Sequence, residues 1–207
     1  PVQTPMPVSQ GNIDEWKEQA TAGGATSSVT IDNNNVRTLG PIKINGNLSL
    51  SGSGKLYITG PIYVTGSVTV QGSAKIYVDS AMGPLSGNIV ADGIVDLQGS
   101  GGIYGSGTSG SYVVVTTTSS CPGGSNCGSG SAYALSISGD AGSVILNAID
   151  GSVDLQGSVG IKALTAKKVN MSGTAHITYE SGLANVNFTS GPSGAWTVSS
   201  WKEVLGL

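Results

Sequence analysis

The residues best able to do chemistry are few and scattered along the chain. Cys121 and Cys127 lie six positions apart in the Gly-rich run from Thr116 to Ser131. That spacing predicts a disulfide, which restrains its own loop more than the fold and points to an oxidising, extracytoplasmic setting. Two thiols and one distant imidazole, His176, fall short of the four ligands of a structural zinc site. The spacing also misses the two-residue gap of a thioredoxin-like redox pair.

Four carboxylates, Asp92, Asp96, Asp150 and Asp154, raise the paired-acid chemistry that cleaves glycosidic bonds. Asp96 and Asp154 hold equivalent places in two copies of Val-Asp-Leu-Gln-Gly-Ser, at Val95–Ser100 and Val153–Ser158. Both point outward between inward Val and Leu, and an irregular stretch separates them. They are expected on non-adjacent turns, as solvated polar groups. Arg37 is the sole Arg, and His176, between Ala175 and Ile177, reads as an outward polar residue. No catalytic role, metal site or cofactor is assigned.

A different pattern concerns Lys55, Tyr57, Lys75, Tyr77 and Tyr104. Shifted by 20 residues, Lys55 falls on Lys75 and Tyr57 on Tyr77, with Tyr104 in the next copy. Both rows face outward. Such a row offers a contact surface for sugar rings or a partner, or stabilises the strands through stacked neighbours. Lys162, Lys167 and Lys168 form a small basic group that reads as solvated surface.

The elements that must position these side chains follow from internal repetition. Gly40–Thr59 laid over Gly60–Asp79 matches Gly, Pro, Ile, Gly, Gly, Ser, Lys and Tyr. A third copy runs from Gly87 to Tyr104. Within each, apolar pairs alternate with polar residues (Ile42/Ile44, Leu48/Leu50, Leu56/Ile58), the period of a strand. Glycine separates the pairs and predicts tight corners. The expectation is an all-β, single-domain parallel β-solenoid, a three-sided β-helix with about 20 residues per rung.

Its ends need covers, because open strand edges template aggregation. Asn12 to Ala22, followed by Gly23-Gly24, predicts a short capping helix with Asn12 as N-cap and Trp16 and Ile13 on one face. Phe188, Trp196 and Trp201 gather where the alternation stops and predict an aromatic cap at the far end. The expected division is 1–27 for the N-terminal segment, 28–182 for the β-domain with a protruding loop at 116–131, and 183–207 for the C-terminal cap.

Composition sets the outer limits. The chain has 207 residues, 33 of them Gly, and a net charge of −3, too little field to demand nucleic acid as a partner. No Gly-rich phosphate loop ending in Lys-Ser/Thr occurs. No run of about 18 apolar residues is present and the first residues do not resemble a secretion signal. The chain starts at Pro1 rather than Met, so a processed product or excised fragment is expected, with any membrane anchor lying upstream.

The stretch from Tyr179 to Val204, with Thr4-Pro-Met-Pro-Val8, Ile13-Asp-Glu-Trp-Lys17 and Leu39-Gly-Pro-Ile-Lys-Ile-Asn-Gly-Asn-Leu48, resembles PilX-like pilus-assembly proteins, a minor-pilin-like family. The resemblance covers nearly the whole chain. It implies an N-terminal pilin helix, missing here, ahead of an extracellular β-solenoid, and it carries no catalytic residues. The expected function is therefore a non-enzymatic structural or adhesive domain at the cell surface, with pilus subunits or an extracellular partner as its contacts. The rivals are a cytosolic polymerising scaffold of the bactofilin type and a carbohydrate-binding or polysaccharide-degrading β-helix. The first predicts bare ends, the second converging acids.

Overall fold

The computed structural model describes residues 8–124, 127, 132–139 and 142–178. The chain begins with α1 (Gln10–Ala22). Strands follow in short pieces: β1 (Ala25–Ile31), β2 (Val36–Leu39), β3 (Ile42–Leu50), β4 (Lys55–Ile58), β5 (Ile62–Val64), β6 (Val68–Val70), β7 (Lys75–Val78) and β8 (Gly87–Ala91). After them come β9 (Val95–Gln98), β10 (Ile103–Tyr104), β11 (Val113–Thr117), β12 (Leu135–Ser138), β13 (Val144–Gln156), β14 (Gly160–Ile161), β15 (Ala163–Ser172) and β16 (His176–Ile177). Apolar alternation makes these strands, as in Val68-Thr-Val70 with its ends buried and Thr69 half-buried.

The architecture corrects the expected solenoid. The main sheet closes on itself: its path runs β3, β5, β8, β11, β13, β12, β9, β6 and returns to β3, a barrel of eight parallel strands, with β1 and β15 paired outside the ring. Two departures from the sequence pattern explain it. Gly46, expected at a corner, sits inside the continuous β3, which pairs with β5 through Ile42–Ile44 and with β6 through Leu48–Leu50. At the other side β13, with Gly151 inside it, joins β11 and β12 in the same way. The 20-residue step also does not persist. Ile42 lies opposite Ile62, but Ile62 lies opposite Ile89, and Val95 lies opposite Leu135. Loops of unequal length have been absorbed between paired strands, so the 20-residue step is not kept along the domain.

A separate four-stranded sheet, in the order β10-β7-β4-β2, carries the Tyr and Lys rows, and β14 pairs with β16. Its inner residues Leu56, Ile58, Ile76, Val78 and Ile103 join the same core as Ile44, Leu48, Val68, Ile89, Val115 and Leu146 from the ring. At roughly 25 cal/mol per Å² of apolar surface removed from water, this shared core is the main term holding both sheets together.

Helix α1 starts earlier than its sequence suggests. Ser9 is the N-cap: its hydroxyl accepts from Asn12 N–H at 3.2 Å, and Asn12 Oδ1 accepts from Ser9 N–H at 3.0 Å. This reciprocal box satisfies two otherwise orphaned donors, which places Asn12 in the third helical position rather than at the cap. The helix lies along the flank of the barrel, not across an end. Ile13, Trp16 and Ala20 form its buried stripe. Ile13 and Trp16 pack with Val90, Tyr112, Val114 and Ile145, residues of the barrel's outer face or, for Tyr112, just before β11. The sequence-predicted end cap Phe188, Trp196 and Trp201 lies outside the described residues.

Candidate functional site

Parallel pairing of β4 with β7, and of β7 with β10, sets Tyr57 opposite Tyr77 and Tyr77 opposite Tyr104. Their alternation with Leu56, Ile76 and Ile103 turns the three rings outward while the aliphatic residues enter the core. The rings form one column. Centroids are 5.1 Å apart at both steps, with planes inclined by 14° and 19°. This is offset stacking at about the strand spacing, worth roughly 0.5–1.5 kcal/mol per pair beyond burial.

Two residues back on the same face, Lys55 lies opposite Lys75. The register continues to Val36, exposed at the start of β2, and to Gly102 before β10. Gly102 has φ +87°, and a Cβ there would come within 2.4 Å of the Tyr104 hydroxyl oxygen. The Tyr104 hydroxyl donates to Gly101 O at 3.1 Å, so the last ring leans over the glycine. Five sequence-predicted contact residues thus share one face, a column of phenols beside a pair of ammonium groups.

A second constellation escaped the sequence reading. Lys17 of α1 donates to Asp92 Oδ1 at 2.6 Å, the Tyr63 hydroxyl donates to Asp92 Oδ2 at 2.6 Å, and the Thr118 hydroxyl donates to Asp92 Oδ1 at 3.0 Å. Both Lys17 and Lys43 sit over the Tyr63 ring, at 5.0 and 5.4 Å from its centroid. Burial alone would push the Asp92 carboxyl up, but hydrogen bonds from Lys17, Tyr63 and Thr118, with the ammonium charge, outweigh it and hold the group below the usual carboxylate range. The phenol of Tyr63 is raised to about 12, first by its hydrogen bond to Asp92, then by burial and the carboxylate charge. The cluster fastens the helix to the barrel. Its partners are up to 75 positions apart, and no local pattern in the sequence announces them.

The acids do not converge into a cleaving pair. Asp96 and Asp154 both lie opposite Ser136, on either side of β12, so two strand steps, about 9.6 Å, separate their backbones. Asp154 is only 2% exposed, and its oxygens accept from Gln156 and Asn170. Asp96 is half-buried, Gln98 Nε2 donates to its Oδ2 at 3.0 Å, and its Oδ1 is enclosed with no partner among the described residues. Burial pushes its carboxyl up against the Gln98 hydrogen bond. Both alternate with core Val and Leu, outward on their strands as the sequence suggested, but Asp154 is buried and Asp96 half-buried rather than freely solvated. His176 is exposed, with Nδ1 3.4 Å from Thr174 O. Among the described residues no three His, Cys, Asp or Glu gather to hold a metal.

Cys121 and Cys127 form a disulfide with Cα atoms 5.8 Å apart. The loop does not simply protrude. Cys121 is 5% exposed within the main core, and its carbonyl accepts from both N–H and hydroxyl of Ser152, each at 2.9 Å. Pro122 bridges to Tyr133 across the loop base. The disulfide therefore ties the loop to β13 as well as to itself. Comparison with known proteins finds no family model, no curated protein and no solved structure that matches this chain.

Proposed function

We propose that the chain is a non-enzymatic, extracytoplasmic contact domain of a pilus-associated protein, acting in adhesion or filament assembly. The observation that carries this reading is the outward column of half-buried Tyr57, Tyr77 and Tyr104, three stacked rings held by paired strands. Stacking contributes to the fold, and the same outward row is the kind of surface that contacts use, since interfaces are enriched in tyrosine. The disulfide supports an oxidising compartment. The resemblance of the terminal segments to PilX-like proteins supplies the pilus part of the proposal.

The test is replacement of Tyr57, Tyr77 and Tyr104 by Ala in the full-length protein of its own cells. Surface display and near-ultraviolet circular dichroism of the isolated chain serve as controls for folding. Attachment or filament assembly is expected to fall at least tenfold. Unchanged attachment and assembly by a folded, displayed variant contradicts the proposal.

A further inference from the structure

We infer that the Lys55–Lys75 and Tyr57–Tyr77–Tyr104 face is a binding strip for an anionic polysaccharide laid across the strands. The inference rests on the contact-domain reading and names its ligand. Lys55 and Lys75 are direct cross-strand neighbours, and like charges so placed oppose the fold. Neither forms an ion pair with a carboxylate among the described residues. Their row holds Val36 and Gly102, and the row beside it Thr38 and the three tyrosines. No acid enters either row, although the chain carries 12 acidic residues against 9 basic ones. The acid next in sequence, Asp79, spends its carboxylate on Ala81 N–H at 2.9 Å. An ammonium pair with no carboxylate partner among the described residues suits anions arriving from outside.

The geometry favours a carbohydrate over a nucleic acid. Bases bind single-strand platforms by stacking on free aromatic faces, but here the faces between Tyr57, Tyr77 and Tyr104 are taken up by one another. Of the three hydroxyls, that of Tyr104 donates to Gly101 O, and those of Tyr57 and Tyr77 make no hydrogen bond among the described residues. Hydroxyls beside cations at a repeat of about 4.8 Å suit a chain of sugar rings bearing carboxylates, each ring about one strand step long. Tyr57 and Tyr77 hydroxyls then meet sugar hydroxyls while Lys55 and Lys75 meet the carboxylates.

The experiment measures binding of the purified chain to polygalacturonate, to neutral dextran and to single-stranded DNA by affinity electrophoresis and calorimetry. The variants are Lys55→Gln/Lys75→Gln, Lys55→Glu/Lys75→Glu and, as a charge-matched control, Lys167→Gln/Lys168→Gln. Expected are polygalacturonate binding that weakens with salt, a loss of at least tenfold in both Lys55/Lys75 variants, and no change in the control. Equal binding to dextran, preference for DNA, or binding that survives in both Lys55/Lys75 variants overturns the inference. Absence of polygalacturonate binding overturns it too; if the triple-Ala variant still lowers attachment, the contact-domain reading stands alone, and if not, both fail.

Discussion

Lys17 on the N-terminal helix and Asp92 just after β8 are joined at 2.6 Å, the one salt bridge among the described residues, and it fastens the helix across the barrel's flank rather than over its end. The same carboxylate takes the Tyr63 hydroxyl. The clamp thus couples helix docking to two titrating groups.

Replacing Tyr63 by Phe removes one hydrogen bond to a half-exposed carboxylate and should cost about 1 kcal/mol in urea denaturation. In the wild type, tyrosinate absorbance during alkaline titration should include a late phase from Tyr63, at about 12, that Tyr63→Phe removes. Because the folded-state value lies above the unfolded one, the stability Tyr63 contributes is complete below its ordinary value near 10 and is lost as pH rises toward 12. Asp92 works in the opposite direction: its contribution is present above the ordinary carboxylate value and is lost as pH falls through the lower folded-state value. Asp92→Asn should flatten the acid limb.

Asp96 carries the reverse sign from Asp92. Its raised folded-state value means that ionisation opposes folding, so its penalty is present at neutral pH and relieved as pH falls through that value. Asp96→Asn should raise stability at pH 7 and leave it nearly unchanged in strong acid, as read by thermal unfolding at both pH values.

Thr116 and Asn147 face each other across β11 and β13, both essentially buried, and Thr116 Oγ1 and both polar atoms of the Asn147 side chain have no partner among the described residues. Buried polar atoms without partners cost about 1–3 kcal/mol each, and an apolar group of similar shape removes that cost. Asn147→Leu should be neutral or stabilising in urea titration, whereas an equally buried Ile44→Asn should be severely destabilising.

A Cβ at Gly66 would meet Asn47 Oδ1 at 2.1 Å and Gly46 O at 2.7 Å. Gly66→Val should therefore cost about 2–3 kcal/mol by overpacking. Opening the Cys121–Cys127 bridge should cost about 2 kcal/mol on loop entropy, with faster hydrogen exchange at Ser152 N–H, which donates to Cys121 O.

The strands were legible wherever alternation was regular: Ile62, Val64, Val68, Val70, Ile76 and Val78 all enter the core as their spacing requires. The 20-residue match also placed Tyr57 opposite Tyr77 and Lys55 opposite Lys75. What failed was closure. Period-two alternation fixes which face a side chain takes but not whether the chain turns at a glycine, and Gly46 has φ +133° inside a strand that continues through it. The helix position failed for a related reason. Val90, Val114 and Ile145 are outward on their strands, and only pairing sets Val114 opposite Ile145, with Val90 one strand over, as an apolar patch for Trp16 to cover. The Asp92 clamp, assembled from α1, β5 and the segments after β8 and β11, left no spacing to read.

We propose the Tyr–Lys face as the surface through which the protein makes contact. Residue-resolved chemical footprinting tests it most directly, with tyrosines and lysines modified on free cells and on cells attached through the full-length protein. Tyr57, Tyr77, Lys55 and Lys75 should lose most of their modification on attachment while Lys167 and Lys168 keep theirs. Unchanged modification of all four on attached cells would contradict the account.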